Sequence, residues 1–320
     1  ISVATAAAFA MEAFEAGQIT TEHTGGLELC FGAGDVMLEL LHQMARGEGF
    51  GAELGQGVLR MKEKWIKEFG ADAQFLQDIG MEAKGLEYSE YVSKESLAQQ
   101  CGYTMAIKGP QHDEAWLIFM DMVNNQIPTF EDKAQALYYY PLFRTWFGLM
   151  GLCKLCWNDV VPAKNHTEDE PAKVPAHVRG YWKFFEGMTG IEIDEPKMLE
   201  QSERVYQLQR VMSYMLGKGT SKFDMPPYRA VGPVTIEEYE SRADRYDKQL
   251  KGQAEVDPTS MSSAEKVAAL REYRMGQYKH AMKVVYEARG WTADGVPTIE
   301  RLRRLGIDRP EIVSIIEGAQ

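Results

Sequence analysis

Apolar residues recur at helical spacing through nearly every segment of this chain, and runs that alternate apolar with polar are few. That pattern predicts a mainly α fold. It is strongest over residues 236–251 and 264–288, two amphipathic helices joined by a polar linker around 256–263. Residues 197–216 form a further helix. Over 58–69, Leu59, Trp65, Ile66 and Phe69 make one stripe. Asp35 reads as the N-cap of a helix over 36–46 that Gly47 closes. Residues 1–16 are too apolar on all sides to face water, which makes that helix a central one. Residues 114–124 and 133–152 also read as helical, and Pro141 should start or kink a helix there. The chain ends in a short helix with a glycine stop. Residues 81–91 are Gly-interrupted and extended. Residues 161–180 and 217–233 are Pro- or Gly-rich loops, and loops this long usually serve a site or an interface.

At 320 residues, with 45% hydrophobic and 26% charged residues, the chain has the composition of a globular protein with a sizeable core. A net charge of -12 argues against a non-specific phosphate-backbone binder, which needs a surplus of Lys and Arg. No run of about 18 uncharged apolar residues occurs, so no membrane-spanning helix is expected. The opening ISVATAAAFAM lacks the basic flank of a signal peptide and runs on into an amphipathic segment, so it reads as a buried helix. Starting at Ile1, in the middle of a helical pattern, the sequence reads as a piece of a longer protein.

Chemistry, if the chain performs any, is expected within residues 108–159. Cys153 and Cys156 form a C-x-x-C with metal or redox spacing. Zinc would need a second pair, and a [4Fe–4S] cluster about four thiolates, so further ligands would have to come from outside these 320 residues. A purely structural pair is equally consistent with the spacing. Cys30 and Cys101 stand alone and read as inert. His112 follows Gly109-Pro110 and precedes Asp113 and Glu114. At a helix start the dipole disfavours its charged form while the carboxylates favour it, so it can exchange a proton near neutral pH. An ordinary helix-terminal histidine is the simpler alternative. The other five histidines lack partner spacing and read as structural or surface residues. There is no HExxH, P-loop, G-x-G-x-x-G or G-x-S-x-G.

In order and spacing, several blocks resemble the carboxy-terminal half of the tungsten-dependent aldehyde:ferredoxin oxidoreductase family. Ile1-Ser2 and Phe9-Ala10-Met11-Glu12 are similar to the helix after that family's first pterin motif, and residues 26–55 to a helix and glycine turn. Lys84-Gly85-Leu86-Glu87 matches its V-K-G-L-E. Lys108-Gly109-Pro110-Gln111-His112 aligns with its R-G-A-C-H. Gly151-Leu152-Cys153 matches the second pterin motif, D-x-x-G-L-C, whose cysteine is a cluster ligand. Arg289-Gly290-Trp291 and Gly295-Val296-Pro297-Thr298 match R-G-W…G-V-P-T. Gly148 stands where the second motif opens with Asp, which removes a carboxylate contact to a pterin.

The resemblance implies the helical C-terminal domains of the aldehyde ferredoxin oxidoreductase fold. Residues 1–78 would complete a middle, pterin-contacting helical domain, and 79–320 would form a C-terminal helical domain with the cluster and pterin motif. It implies a tungsten (or molybdenum) bis-pterin and a [4Fe–4S] cluster. Cys153 would be the metal ligand; Lys108, Gly109, Gly151 and Leu152 would contact the cofactors; and His112 would be the catalytic proton donor or acceptor. Cys156 would support Cys153. KGPQHDEAW, GLCKLCWND and PPYRAVGPVT are most similar to the tungsten subunits of ATP-independent, class II benzoyl-CoA reductases. Tyr138–Tyr140, Trp146 and Phe147 would then line an apolar aryl pocket, or simply pack in the core. The implied partners are a ferredoxin or iron–sulfur subunit and a small-molecule or CoA-thioester substrate, in a cytoplasmic oligomer without nucleic acid or membrane span. Aldehyde oxidation is the alternative activity. A cofactor-free helical interaction protein is the alternative of a different class.

Overall fold

The computed structural model describes residues 2–89, 91, 93–152, 167–170, 173 and 175–318. The mainly helical expectation is met, and the strands among the described residues are two of two residues each. Helix α1 (Ser2–Glu15) buries Ala6, Ala7, Phe9, Ala10, Met11 and Ala13, whereas Ala4 is exposed. The helix therefore has one open side rather than being buried all round. Helices α2 (Thr21–Thr24), α3 (Gly34–Arg46), α4 (Gly49–Leu54), α5 (Val58–Lys64) and α6 (Ala73–Ile79) follow. Asp35 is not the N-cap of α3. Ala33 takes that place, and Asp35 adds a negative charge to the first turn. Gly47 does close α3, at φ 68°, its N–H reaching the carbonyls of Gln43 and Met44.

The stripe expected over 58–69 continues through a wider π turn, Trp65–Phe69, that Gly70 ends at φ 68°. This places Trp65 at the centre of a core, stacked on Phe9 at 5.2 Å and on Phe50 at 6.2 Å. Fully burying an apolar side chain of this size contributes about 1.5–3 kcal/mol. The Lys84-Gly85-Leu86-Glu87 block is the bend of a hairpin between β1 (Glu82–Ala83) and β2 (Leu86–Glu87). Lys84 and Gly85 both have positive φ, 59° and 78°, the backbone a two-residue hairpin turn demands. Behind the turn, buried Lys62 donates to Glu82 at 2.7 Å, and Glu87 accepts the Val58 N–H at 3.0 Å.

Helices α7 (Leu97–Thr104), α8 (Phe130–Leu149), α9 (Pro175–Thr189) and α10 (Glu195–Met215) come next. Pro141 neither starts nor breaks α8, although it lies inside it. A proline frees the carbonyl four residues back. Here that carbonyl, on Leu137, accepts the Arg289 guanidinium at 2.9 Å, which removes part of the penalty. Helices α11 (Ile236–Glu240), α12 (Ala243–Gln253), α13 (Ser263–Arg289), α14 (Ile299–Arg304) and α15 (Pro310–Glu317) complete the described chain.

Two compact units emerge. One is Ile1–Glu95 with Pro226–Gly276; the other is Ser96–Met225 with Gln277–Gln320. The units are interleaved in sequence, whereas the division after residue 78 expected from the resemblance is a cut along the chain. The first unit is centred on the Phe9–Trp65 core, with a smaller tyrosine cluster of Tyr239, Tyr246, Leu250 and Leu270. The second has its largest core around Leu117, Leu137, Tyr140, Tyr278 and Trp291.

Candidate functional site

The His112 segment is not the start of a helix. Residues 112–114 form a turn, and the next helical residues are the π turn Phe119–Val123. The reason is Gln99 of α7, a fully buried side chain that claims the intervening backbone. Its Oε1 accepts from Leu117 N at 2.7 Å and Ile118 N at 2.8 Å, and its Nε2 donates to Ala115 O at 3.1 Å. Those peptide groups are therefore unavailable to a helix. The helix-dipole argument for His112 falls with it. His112 is half-buried, with its ring edge-on to Trp116 at 5.4 Å.

The loop carrying His112 is closed by its own last residue. Glu114 is buried, and its two oxygens accept the Ile107 N–H at 3.1 and 3.0 Å. Tyr206 of α10 donates its hydroxyl to the same carboxyl at 3.2 Å. Burial pushes the Glu114 carboxyl above its usual range; the Ile107 N–H opposes this, Asp113 adds to it, and Arg289 and Tyr206 oppose it. Lys108 spans the loop to Asp113 at 2.6 Å, and Gly109 sits in it at φ 127°, a backbone that favours glycine. Arg144 of α8 donates to the Asp113 carbonyl at 3.0 Å.

Arg144 lies five residues, about 7.5 Å of helical rise, before Leu149, the last residue of α8. That end is built by the Gly-Leu block. Gly151 adopts φ 71° and donates to Gly148 O at 3.1 Å, and Leu152 donates to Phe147 O at 3.3 Å. This pair of bonds is the Schellman arrangement, and it requires a left-handed residue at Gly151. Both residues are exposed, and an added Cβ on Gly151 would meet nothing within 4 Å. Gly148, exposed in the last turn, contributes only its backbone carbonyl. Cys153 and Cys156 lie outside the described residues.

The structure thus ties the His112 loop, with Lys108 and Gly109, to the same helix that ends in Gly151-Leu152. The aromatics expected at an aryl pocket are core residues instead. Tyr139, Tyr140, Trp146 and Phe147 are each at most 2% exposed, and the hydroxyl of half-buried Tyr138 takes Arg301 at 3.2 Å. Cys101 is buried, its thiol pushed up by burial and by Asp121, which keeps it an unreactive thiol. Two of the remaining histidines are structural: His23 caps α2 and stacks on Phe69 at 4.1 Å, and His280 stacks on Phe130 at 4.6 Å.

The R-G-W and G-V-P-T blocks build a buried polar network. Arg210 and Asp224, both 0% exposed, pair at 2.7 Å, and Arg210 also donates to Gly295 O at 2.8 Å. Tyr286 donates its hydroxyl to the Asp224 carboxylate, and Tyr278 donates to its carbonyl. Arg210 lies over Trp291 at 4.5 Å, while Arg289 lies over Tyr206 at 4.3 Å. Sequence reading missed Glu114, Tyr206 and Arg289 as one cluster, because the three are up to 175 residues apart and no local spacing joins them.

Within the first unit lies a cavity of about 720 Å³ lined by Tyr88, Lys94, Arg229, Glu238 and Tyr246, among others. Arg229 and Ala230 of the PPYRAVGPVT block, in the long 217–233 loop, are part of its lining. Among the described residues, no group of three or more His, Cys, Asp or Glu side chains is arranged to hold a metal ion. No helix among them is long and apolar enough to cross a membrane.

A family profile described as aldehyde ferredoxin oxidoreductase, domains 2 and 3, matches residues 1–307. No curated protein matches the sequence. Among solved structures, the chain resembles one described as the active site complex BamBC of benzoyl coenzyme A reductase in complex with 1,5-dienoyl-CoA. The TM-score is 0.62 at 18% identity, over 100% of this chain and 45% of that one. The likeness establishes a shared fold, and this chain spans less than half the length of the solved one.

Proposed function

The chain belongs to the aldehyde ferredoxin oxidoreductase family, and from that premise we propose that it forms part of a tungsten bis-pterin, [4Fe–4S] oxidoreductase reducing an aryl-CoA thioester. The observation that carries the reading is the end of α8. There the Gly151-Leu152 turn stops the helix in the open, immediately before Cys153. A ligand to a bulky inorganic group needs open access, and the Gly151-Leu152 turn that precedes Cys153 is itself exposed. The described residues fit the group as one edge of its site. Cys153 would hold the cluster, and the remaining ligands would come from other parts of the protein.

When bound, the tungsten pterin and the cluster would supply electron exchange with the substrate and relay to a ferredoxin or an iron–sulfur subunit. The chain's own residues have simpler tasks. Adding electrons to a ring builds charge in a water-poor pocket unless protons follow, and His112 would move that proton. Lys108 and Gly109 would approach the pterin, Gly109 because it has no side chain in the way. Gly148 leaves the usual carboxylate contact unmade. The enzyme would be a cytoplasmic oligomer.

Aldehyde oxidation is the second reading, favoured by the family's own description. A viologen-coupled assay of the intact protein with benzaldehyde and with a cyclic dienoyl-CoA separates them. Turnover of dienoyl-CoA alone is expected; turnover of benzaldehyde alone would replace the first reading by the second. Protein isolated without tungsten or iron would sink both and leave a helical interaction protein. Cys153→Ser is expected to lose cluster iron, and unchanged iron would overturn that assignment.

A further inference from the structure

Nothing in the chemistry above gives Glu114 a task, yet it is the most completely enclosed carboxyl near the candidate site. We propose that Glu114 is the positioning residue for His112, holding the loop 107–114 closed so that the imidazole is presented in one orientation. The inference rests on the reading of His112 as the proton-moving group, and adds what fixes that group in place.

A loop of eight residues with a glycine at φ 127° has many conformations available, and a histidine on it would sample most of them. Three side-chain contacts reduce that freedom, beside the Gln111 N–H bond to Gly109 O at 2.9 Å and the edge-on contact of His112 with Trp116 at 5.4 Å. Glu114 ties the two ends through both oxygens on the Ile107 N–H, at 3.1 and 3.0 Å. Lys108 and Asp113 cross the middle at 2.6 Å, but Lys108 is half exposed, so water screens that pair and it holds weakly. Arg144 fixes the Asp113 carbonyl at 3.0 Å, next to His112. The Glu114 contact is the buried one. In a low-dielectric surrounding a carboxyl bonded to a backbone N–H is costly to break, because both groups lose a partner with no water to replace it.

Glu114 is itself held. The Tyr206 hydroxyl reaches it at 3.2 Å, and the Tyr206 ring is fixed in turn under Arg289 at 4.3 Å and against Trp291 at 6.3 Å. A chain of contacts therefore runs from the R-G-W block through Tyr206 to Glu114 and the His112 loop. It links Arg289 and Trp291 to the His112 loop through Tyr206 and Glu114.

The test follows His112 directly, in the full protein, by its rate of carbethoxylation with diethyl pyrocarbonate, read at its own peptide by mass spectrometry. His23, in the first unit, is the internal control. Glu114→Ala is expected to raise the His112 rate about tenfold, the factor equivalent to about 1.4 kcal/mol of lost closure, with the His23 rate unchanged. Glu114→Gln keeps an acceptor for the Ile107 N–H and should stay within about twofold of the parent. Tyr206→Phe, which removes one hydroxyl, should raise the rate about threefold. An unchanged His112 rate in folded Glu114→Ala overturns the proposal, and so does Gln behaving like Ala. If Glu114→Ala does not fold, Tyr206→Phe decides, an unchanged rate counting against the proposal. Unaltered turnover in His112→Asn would remove the proton-moving role and leave these rates to be judged on their own.

Discussion

Asp224→Asn keeps the shape of the side chain and removes its charge, which isolates the worth of the ion pair beneath the R-G-W and G-V-P-T blocks. Arg210 and Asp224 are fully buried, so the variant leaves a guanidinium with no counter-ion and no water. The Gly295 carbonyl at 2.8 Å and the face of Trp291 at 4.5 Å remain, but neither carries a full negative charge. The asparagine amide can present its N–H₂ or its oxygen to Arg210 and Tyr286, and it cannot accept as many bonds as the carboxylate. Breaking one side of a buried pair costs about 3–5 kcal/mol. For a unit of this size that is a fall of about 6–20 °C in Tm. The assay is urea unfolding followed by tryptophan fluorescence, with the midpoint and slope compared. A double variant, Arg210→Met with Asp224→Leu, removes both charges and should be much less harmful than Asp224→Asn alone. A loss below about 1 kcal/mol in Asp224→Asn would refute the argument, because it would mean the guanidinium finds water or another anion in the folded state.

Two glycines separate strain from collision. Gly295→Ala places a Cβ 2.4 Å from Arg210 Nη2 and 2.9 Å from Tyr286 Cζ at φ 77°, and should cost about 2–4 kcal/mol in thermal unfolding. Gly151→Ala meets no atom within 4 Å and has only its φ of 71° against it, so about 1 kcal/mol is expected, and equal losses would refute the distinction. Glu114 also gives a pH dependence. Its folded-state pKa lies above its ordinary value of 4.5, so the native state holds the proton more tightly than the unfolded chain. Stability then falls as pH rises from the unfolded value towards the folded one, and the full penalty is present above the latter. Glu114→Gln abolishes that titration, so its stability relative to the parent should improve as pH is raised from about 4 to 7. A constant difference in urea midpoints over that range would show that the carboxyl does not titrate as described.

Local sequence determined the parts of this protein whose physics is local. The helical period set the fold class, and Gly47 marked the end of α3 because few other residues adopt its positive-φ backbone at low cost. The Gly-Leu-Cys block was legible only as a resemblance to a family motif; that Gly151 stops α8, where the sequence pattern carried the helix on to 152, was decided by the structure. Tertiary structure decided what the sequence could not. Residues 114–124 have helical spacing, yet Gln99, from another helix, takes the Leu117 and Ile118 N–H groups and prevents a regular helix. Pro141 has the signature of a break, but Arg289, 148 residues later, satisfies the carbonyl that the proline frees. The tyrosines and tryptophan beside it had the composition of a ligand pocket and became core, since apolar packing is blind to sequence distance. The Glu114–Tyr206–Arg289 cluster belongs wholly to this second class: a buried polar group is satisfied by whatever the fold brings near, and only three dimensions show what that is.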